Sequence, residues 1–149
     1  MRKVIIVLVL VLVAIGVHAQ RASGPVVEVF KSATCGCCTK WVEHLQAHGF
    51  TVRTTVTEAL DDIKSKHQVP GSVRSCHTAV VGGYVIEGHV PAADVHRLLK
   101  ERPAVAGIGV PGMPIGSPGM EVPGMKVQPY DVLAFTTQGT TRVFASHGR

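Results

Sequence analysis

VVEVFKSATCGCCTKWVEHLQAHG, residues 26–49, changes character twice along its length. Residues 26–30 are a β-rich run introduced by Gly24-Pro25, which predicts a first strand. From about Cys38 to His48 the pattern turns helical, with Trp41, Val42 and Leu45 on one face and Gly49 as the stop. Between the two lie Cys35, Cys37 and Cys38, three thiols in four positions at the junction of a strand and a helix.

The rest of the chain builds on that junction. Residues 50–56 alternate β-branched side chains and read as a second strand. Thr57 is a suitable N-cap for a helix carrying Ala59, Leu60, Ile63 and His67 on one side, with Asp62 and Lys66 paired on the wet side and an end before Pro70. Residues 78–81 and 84–86 flank Gly82-Gly83, a two-residue hairpin turn. Pro91 then opens a third helix, with Val95, Leu98 and Leu99 inward and Pro103 as its stop. The order β-α-β-α-β-β-α predicts a mixed α/β (α+β) fold with a thioredoxin- or glutaredoxin-like core over residues 26–103. Its first two strands are parallel through a right-handed crossover. Residues 107–125 repeat Pro-Gly-Met at 111–113, 118–120 and 123–125, a composition that excludes helix and interior strand. A last hairpin is expected over residues 130–145, turning at Gln138-Gly139.

The N-terminus bears on the compartment. Arg2 and Lys3 precede an apolar run over residues 4–17 and the tripeptide Val17-His18-Ala19, the pattern of a cleaved export signal over residues 1–19. The run is shorter than the roughly 20 residues a spanning helix needs. The expected mature chain, residues 20–149, is one domain with no membrane anchor. Without Arg2 and Lys3 the formal charge falls from +5 to +3. That mild excess, with no block of Lys or Arg, argues against a nucleic-acid partner.

All four cysteines lie in the expected mature chain. Export suggests disulfides, but the spacing is poor for structural staples, because pairing within residues 35–38 closes small, strained loops. The layout supplies another partner. If the first and third strands are antiparallel neighbours, Cys76, just before the third strand, meets Cys35, Cys37 and Cys38, just after the first. Helix N-termini stabilise thiolates, so the three clustered cysteines are expected to ionise readily. Converging thiolates then require a cation or oxidation to neutralise them.

Two classes of function follow. The first is a soft-metal site. Contiguous Cys37-Cys38 suits several bridged ions of low coordination number better than one zinc tetrahedron, which favours Cu(I) over zinc. The methionines Met113, Met120 and Met125 are soft donors in the same sense, or apolar anchors pinning the loop. The second class is thiol–disulfide exchange through the C-x-x-C formed by Cys35 and Cys38, which the extra Cys37 complicates.

KSATCGCCTKWVEHL, RSCHTAVVGGYVIEGHVPA and VPGMPIGSPGM, in that order, resemble the family of the bacterial copper-resistance protein CopG, long catalogued as a domain of unknown function. The resemblance covers nearly all of the expected mature chain, from about Val26 to Phe144. It implies a periplasmic, thioredoxin-like protein that holds several copper ions through Cys35, Cys37, Cys38 and Cys76. It also implies a redox role that interconverts Cu(I) and Cu(II). The partners it implies are copper ions and another periplasmic copper-handling or electron-transfer protein. A copper carrier is the further alternative.

Around this set, His77, Met113 and Met120 form a second tier of ligands or gate residues, and His89 is either a functional group or a loop residue. His44 and His48, four apart on the first helix, have a metal-capable spacing, though a partly buried structural role suits His48 better. His67, His96 and His147 carry no such signal. Lys31, Lys40 and Arg74 flank the cluster and read as solvated surface or as counter-charges. No hydrolase arrangement stands out.

Overall fold

The computed structural model describes residues 24–149. The export signal expected over residues 1–19 lies outside them. Among the described residues no helix is long and apolar enough to cross a membrane. The elements run β1 (Val26–Lys31), α1 (Gly36–Ala47), β2 (Thr51–Val56), α2 (Leu60–Lys66), β3 (Thr78–Val81), β4 (Tyr84–Glu87), α3 (Ala92–Glu101), β5 (Gly107–Gly109), β6 (Tyr130–Phe135) and β7 (Thr141–His147). The succession expected from the sequence, β-α-β-α-β-β-α, is therefore present from β1 to α3.

The strands form one sheet in the order β2-β1-β3-β4-β5-β6-β7. β1 pairs parallel to β2 and antiparallel to β3. β3 and β4 form the tight hairpin, in which Gly82 and Gly83 both take positive φ, 56° and 87°. That pair of left-handed residues is what a turn matching the strands' twist requires. Period-two alternation sends side chains to two faces. Val27, Val29, Ala79, Val81, Ile86, Ile108, Val132 and Ala134 share one core with Trp41 and Leu45 of α1 and Val95 and Leu98 of α3. On the opposite face Val85 and Phe135 pack with Val69 and Val73, and Lys64 of α2 reaches Thr78 and Glu87.

Several boundaries differ from the sequence expectation, each for a local reason. α1 begins at Gly36 rather than near Cys38, so Cys35 is its N-cap and Cys37 and Cys38 lie in its first turn. Thr57 is not the N-cap: its Oγ1 accepts the N–H of Ala59 in the turn before the helix, and α2 starts at Leu60 with Ala59 at the cap. Pro91 is the N-cap of α3, not its first residue. Among the described residues the ion pairs of the α2 region join Lys64 to Glu87 and Asp61 to Arg74, not Asp62 to Lys66. Lys64 is the buried residue of α2.

The larger correction concerns residues 107–109, which form an interior strand where glycine and proline had argued against one. β5 runs parallel to β4 and antiparallel to β6, and so joins the terminal hairpin to the rest of the sheet. Glycine is required here by close approach. A Cβ on Gly107 would lie 2.1 Å from the Val85 carbonyl oxygen, and one on Gly109 would lie 2.4 Å from Val73 Cγ1. Gly107→Ala should therefore destabilise the fold by about 1–3 kcal/mol, the usual range for overpacking. Gly71→Ala meets nothing within 4 Å and should leave stability nearly unchanged. Urea unfolding of the two variants checks the contrast, and equal midpoints would contradict it.

Candidate metal centre

The β1–β3 pairing places the cysteines. Phe30 sits opposite Thr78 in the antiparallel register, so the end of β1 and the start of β3 lie side by side. Five residues beyond Phe30 the chain reaches Cys35, and two residues before Thr78 it passes Cys76. The four sulfurs of Cys35, Cys37, Cys38 and Cys76 all lie within 4.8 Å of one another. Cys35 and Cys38 are joined as a disulfide, with their Cα atoms 5.3 Å apart, while Cys37 and Cys76 are free. Cys37 Sγ is 3.5 Å from Cys35 Sγ. Cys38 is fully buried and the other three are partly exposed.

In this oxidised form the disulfide removes two of the four donors. Addition of two electrons and two protons opens it to two thiols, and four sulfurs then converge on one space. Such a donor set suits soft ions. Its charge is held back at Cys76, where burial and then the neighbouring Cys37 push the thiol up from 9.0 to about 11. A metal arriving there displaces a proton rather than meeting a ready thiolate.

Two histidines meet Cys76. Its sulfur lies 3.0 Å from His89 Nε2 and 3.3 Å from His77 Nδ1. Both imidazoles are fully buried. Burial pushes both down from the ordinary range, His77 well below it, and His89, Lys64 and Lys31 add to the effect at His77. His77 packs on Trp41 with ring centroids 4.3 Å apart, and Trp41 in turn donates its indole N–H to the Val90 carbonyl at 2.8 Å. His77 thus has a place beside the cysteines, as its position after Cys76 suggested. His89 joins from the loop that ends the hairpin.

Behind them lies a buried charge network that the sequence reading missed. Lys64 Nζ is 2.6 Å from Glu87 Oε1 and donates to Thr78 Oγ1 at 2.9 Å, and Thr78 donates to Glu87 Oε2 at 2.7 Å. Glu87 Oε1 also accepts the backbone N–H of Ser75 at 2.7 Å, which holds the chain immediately before Cys76. Burial raises the Glu87 carboxyl, against the opposite pull of Lys64. The only signal for it in the sequence is an acid ending the otherwise apolar run Tyr84-Val85-Ile86.

The Pro-Gly-Met loop folds over the cysteine end of α1. A Cβ on Gly119 would fall 2.7 Å from the Cys37 carbonyl oxygen and 2.9 Å from the Trp41 nitrogen. Only glycine, at φ 85°, allows that contact. The Pro118 carbonyl is 2.8 Å from His89 Nδ1, and the Gly112 carbonyl accepts from Ser75 Oγ. Met120 and Met113 each follow one of these anchored glycines. Met120 is half-buried, whereas Met113 and Met125 are about half exposed.

The remaining candidates separate from the cluster. His44 Nε2 accepts the Ala92 N–H at 3.1 Å, so it caps α3 from a half-buried position. His48, expected to be partly buried, is exposed: it is the C-cap of α1, past the last helical turn that packs on the core through Leu45. His96 stacks on Phe50, and His147 pairs with Asp94 at 2.6 Å. Lys31 is buried and donates to the Ser32 carbonyl, and Arg74 ties the loop before Cys76 to Val69 and Ser65. Lys40 is exposed.

Residues 73–120 match a family model described as a protein of unknown function, DUF411. Two solved structures, form 1 and form 2 of copper resistance protein CopG, are similar over most of the chain. Each is 44% identical, covers 83% of this chain and 98% of its own, and superposes with a TM-score of 0.78. No curated protein matches.

Two outcomes test the site's physical description. Alkylation of Cys76, followed by peptide mass spectrometry, should accelerate about tenfold per pH unit from pH 8 to 10, since its thiolate forms only near 11. A plateau below pH 9 would contradict the buried, proton-holding thiol. Lys64→Met, which strands the Glu87 charge, should cost about 3–5 kcal/mol in urea unfolding. Adding Glu87→Leu should restore most of it.

Proposed function

Because the chain belongs to the family of the copper resistance protein CopG, we propose that its cysteine cluster is a copper site and that it serves copper resistance. The observation that carries this reading is the convergence of Cys76 on Cys35, Cys37 and Cys38, with all four sulfurs within 4.8 Å of one another. In the reduced protein these sulfurs hold more than one Cu(I), because adjacent Cys37 and Cys38 offer bridging thiolates more readily than one regular tetrahedron. Cycling between Cu(I) and Cu(II) follows as a redox role, and the electrons pass to another copper-handling or electron-transfer protein. Met113 and Met120, on the anchored loop, are thioether donors or gates at the rim. The protein works in the periplasm after removal of residues 1–19.

The Cys35–Cys38 disulfide supports a second reading, a thiol–disulfide oxidoreductase. It has an outer, partly exposed cysteine and an inner, buried one at a helix N-terminus, where the dipole favours a thiolate. Cys37→Ser separates the two. Reduced, anaerobic protein titrated with Cu(I) and desalted should retain more than one copper per chain by mass spectrometry. Cys37→Ser and Cys76→Ser should each lower the count by at least one. Retention of a single zinc ion in preference to copper would overturn the copper reading. So would a copper count indifferent to Cys76→Ser. A Cys37→Ser protein that keeps full disulfide-reductase activity would favour the second reading.

A further inference from the structure

Cys76 has two sets of neighbours. On one side are the sulfurs of the cluster, and on the other are His77 and His89, with the sulfur and both ring nitrogens within 4.8 Å of one another. We propose that Cys76, His77 and His89 form a second, mixed thiolate–imidazole site that takes one divalent copper ion while Cys35 and Cys38 are joined as a disulfide. The proposal rests on the copper reading for the identity of its metal, and it shares Cys76 with the four-sulfur cluster while drawing its other two donors, His77 and His89, from outside it.

The orientation of the imidazoles supports it. His89 Nδ1 lies 2.8 Å from the Pro118 carbonyl, an oxygen that can only accept, so Nδ1 carries the hydrogen. Nε2 is then the lone-pair nitrogen, and it faces Cys76 Sγ at 3.0 Å. A histidine whose far nitrogen donates to a backbone carbonyl is held in the tautomer and orientation that metal ligation needs. His77 presents Nδ1 to the same sulfur at 3.3 Å, while its Nε2 is buried without a hydrogen-bond partner. An imidazole buried on those terms costs about 1–3 kcal/mol for the unmet group. Ligation through Nδ1 replaces the weak contact with the Cys76 sulfur at that nitrogen by a metal bond and leaves Nε2 to carry the ring's hydrogen.

The donor set differs from the cluster's in what it selects. Four thiolates favour Cu(I), whereas two imidazoles and one thiolate are a set used for copper that cycles through Cu(II). The disulfide takes Cys35 and Cys38 out of the cluster and leaves this trio intact. The thiol proton that lies between Cys76 and His89 in the metal-free protein is the one an incoming ion displaces. Protein whose Cys35 and Cys38 are joined therefore keeps a site for one divalent ion instead of losing all metal binding.

Co(II), which does not oxidise thiols, is the probe, and Cys37→Ser protein with its Cys35–Cys38 disulfide intact is the host. That variant removes the thiol with which Cys76 could pair. One Co(II) per chain should bind, with visible bands of a distorted tetrahedral ion and a near-ultraviolet sulfur-to-cobalt band. Adding Cys76→Ser should abolish the sulfur band, and adding His89→Gln should weaken binding at least tenfold. X-ray absorption of the Co(II)-loaded host, which needs no histidine variant, should show one sulfur and the outer-shell scattering of imidazole. Absence of Co(II) binding, or a bound ion without sulfur and imidazole scattering, would overturn the proposal. Cu(I) retention by the reduced wild-type protein reports the cluster separately, so either site can fail alone.

Discussion

The antiparallel register of β1 against β3 is the constraint on which the site depends. Val29 opposite Ala79 and Phe30 opposite Thr78 place the end of one central strand beside the start of the other. The register is held because a slip of one residue would turn Val27, Val29, Ala79 and Val81 out of the core that Trp41 and Leu45 fill. The same apolar packing that stabilises the sheet thus brings Cys76 to Cys35, Cys37 and Cys38. No covalent link to Cys76 is needed, so its sulfur stays free for chemistry.

The surroundings of that meeting point are assembled from both faces of the sheet. From one face, Trp41 supports His77, and the Gly119 turn lies against the first turn of α1. From the other, Lys64 and Glu87 hold the backbone of Ser75, one residue before Cys76. A buried ion pair is weak support for stability as such. Here it sets the position of the segment that carries the fourth sulfur. The oxidation state of Cys35 and Cys38 then decides how many donors converge, four thiols or a disulfide with two free thiols.

Much of this was legible in the sequence because it rests on local patterns. The alternation in β1 and β3, the Gly82-Gly83 turn and the helical face of Trp41 and Leu45 all have short-range signatures. From them the approach of Cys76 to the cluster followed. Other features have no such signature. β5 is Gly-Ile-Gly, a strand made by what lies around it: the Val85 carbonyl on one side and Val73 above leave room for nothing larger than glycine. Lys64 carries no signal of its own in the sequence, and its burial depends on contact with Glu87, 23 residues away. The orientation of His89 depends on the carbonyl of Pro118, 29 residues on, and no spacing rule reaches that far.

The central claim is that the sulfur of Cys76 shares one soft-metal site with the three at the start of α1. The most direct measurement is X-ray absorption at the copper edge on reduced, Cu(I)-loaded protein and on its Cys76→Ser variant. The account predicts sulfur alone in the first shell of the parent, a neighbouring copper in the next, and loss of that copper–copper feature in the variant. Identical spectra from the two proteins, or a first shell of oxygen and nitrogen in the parent, would contradict it.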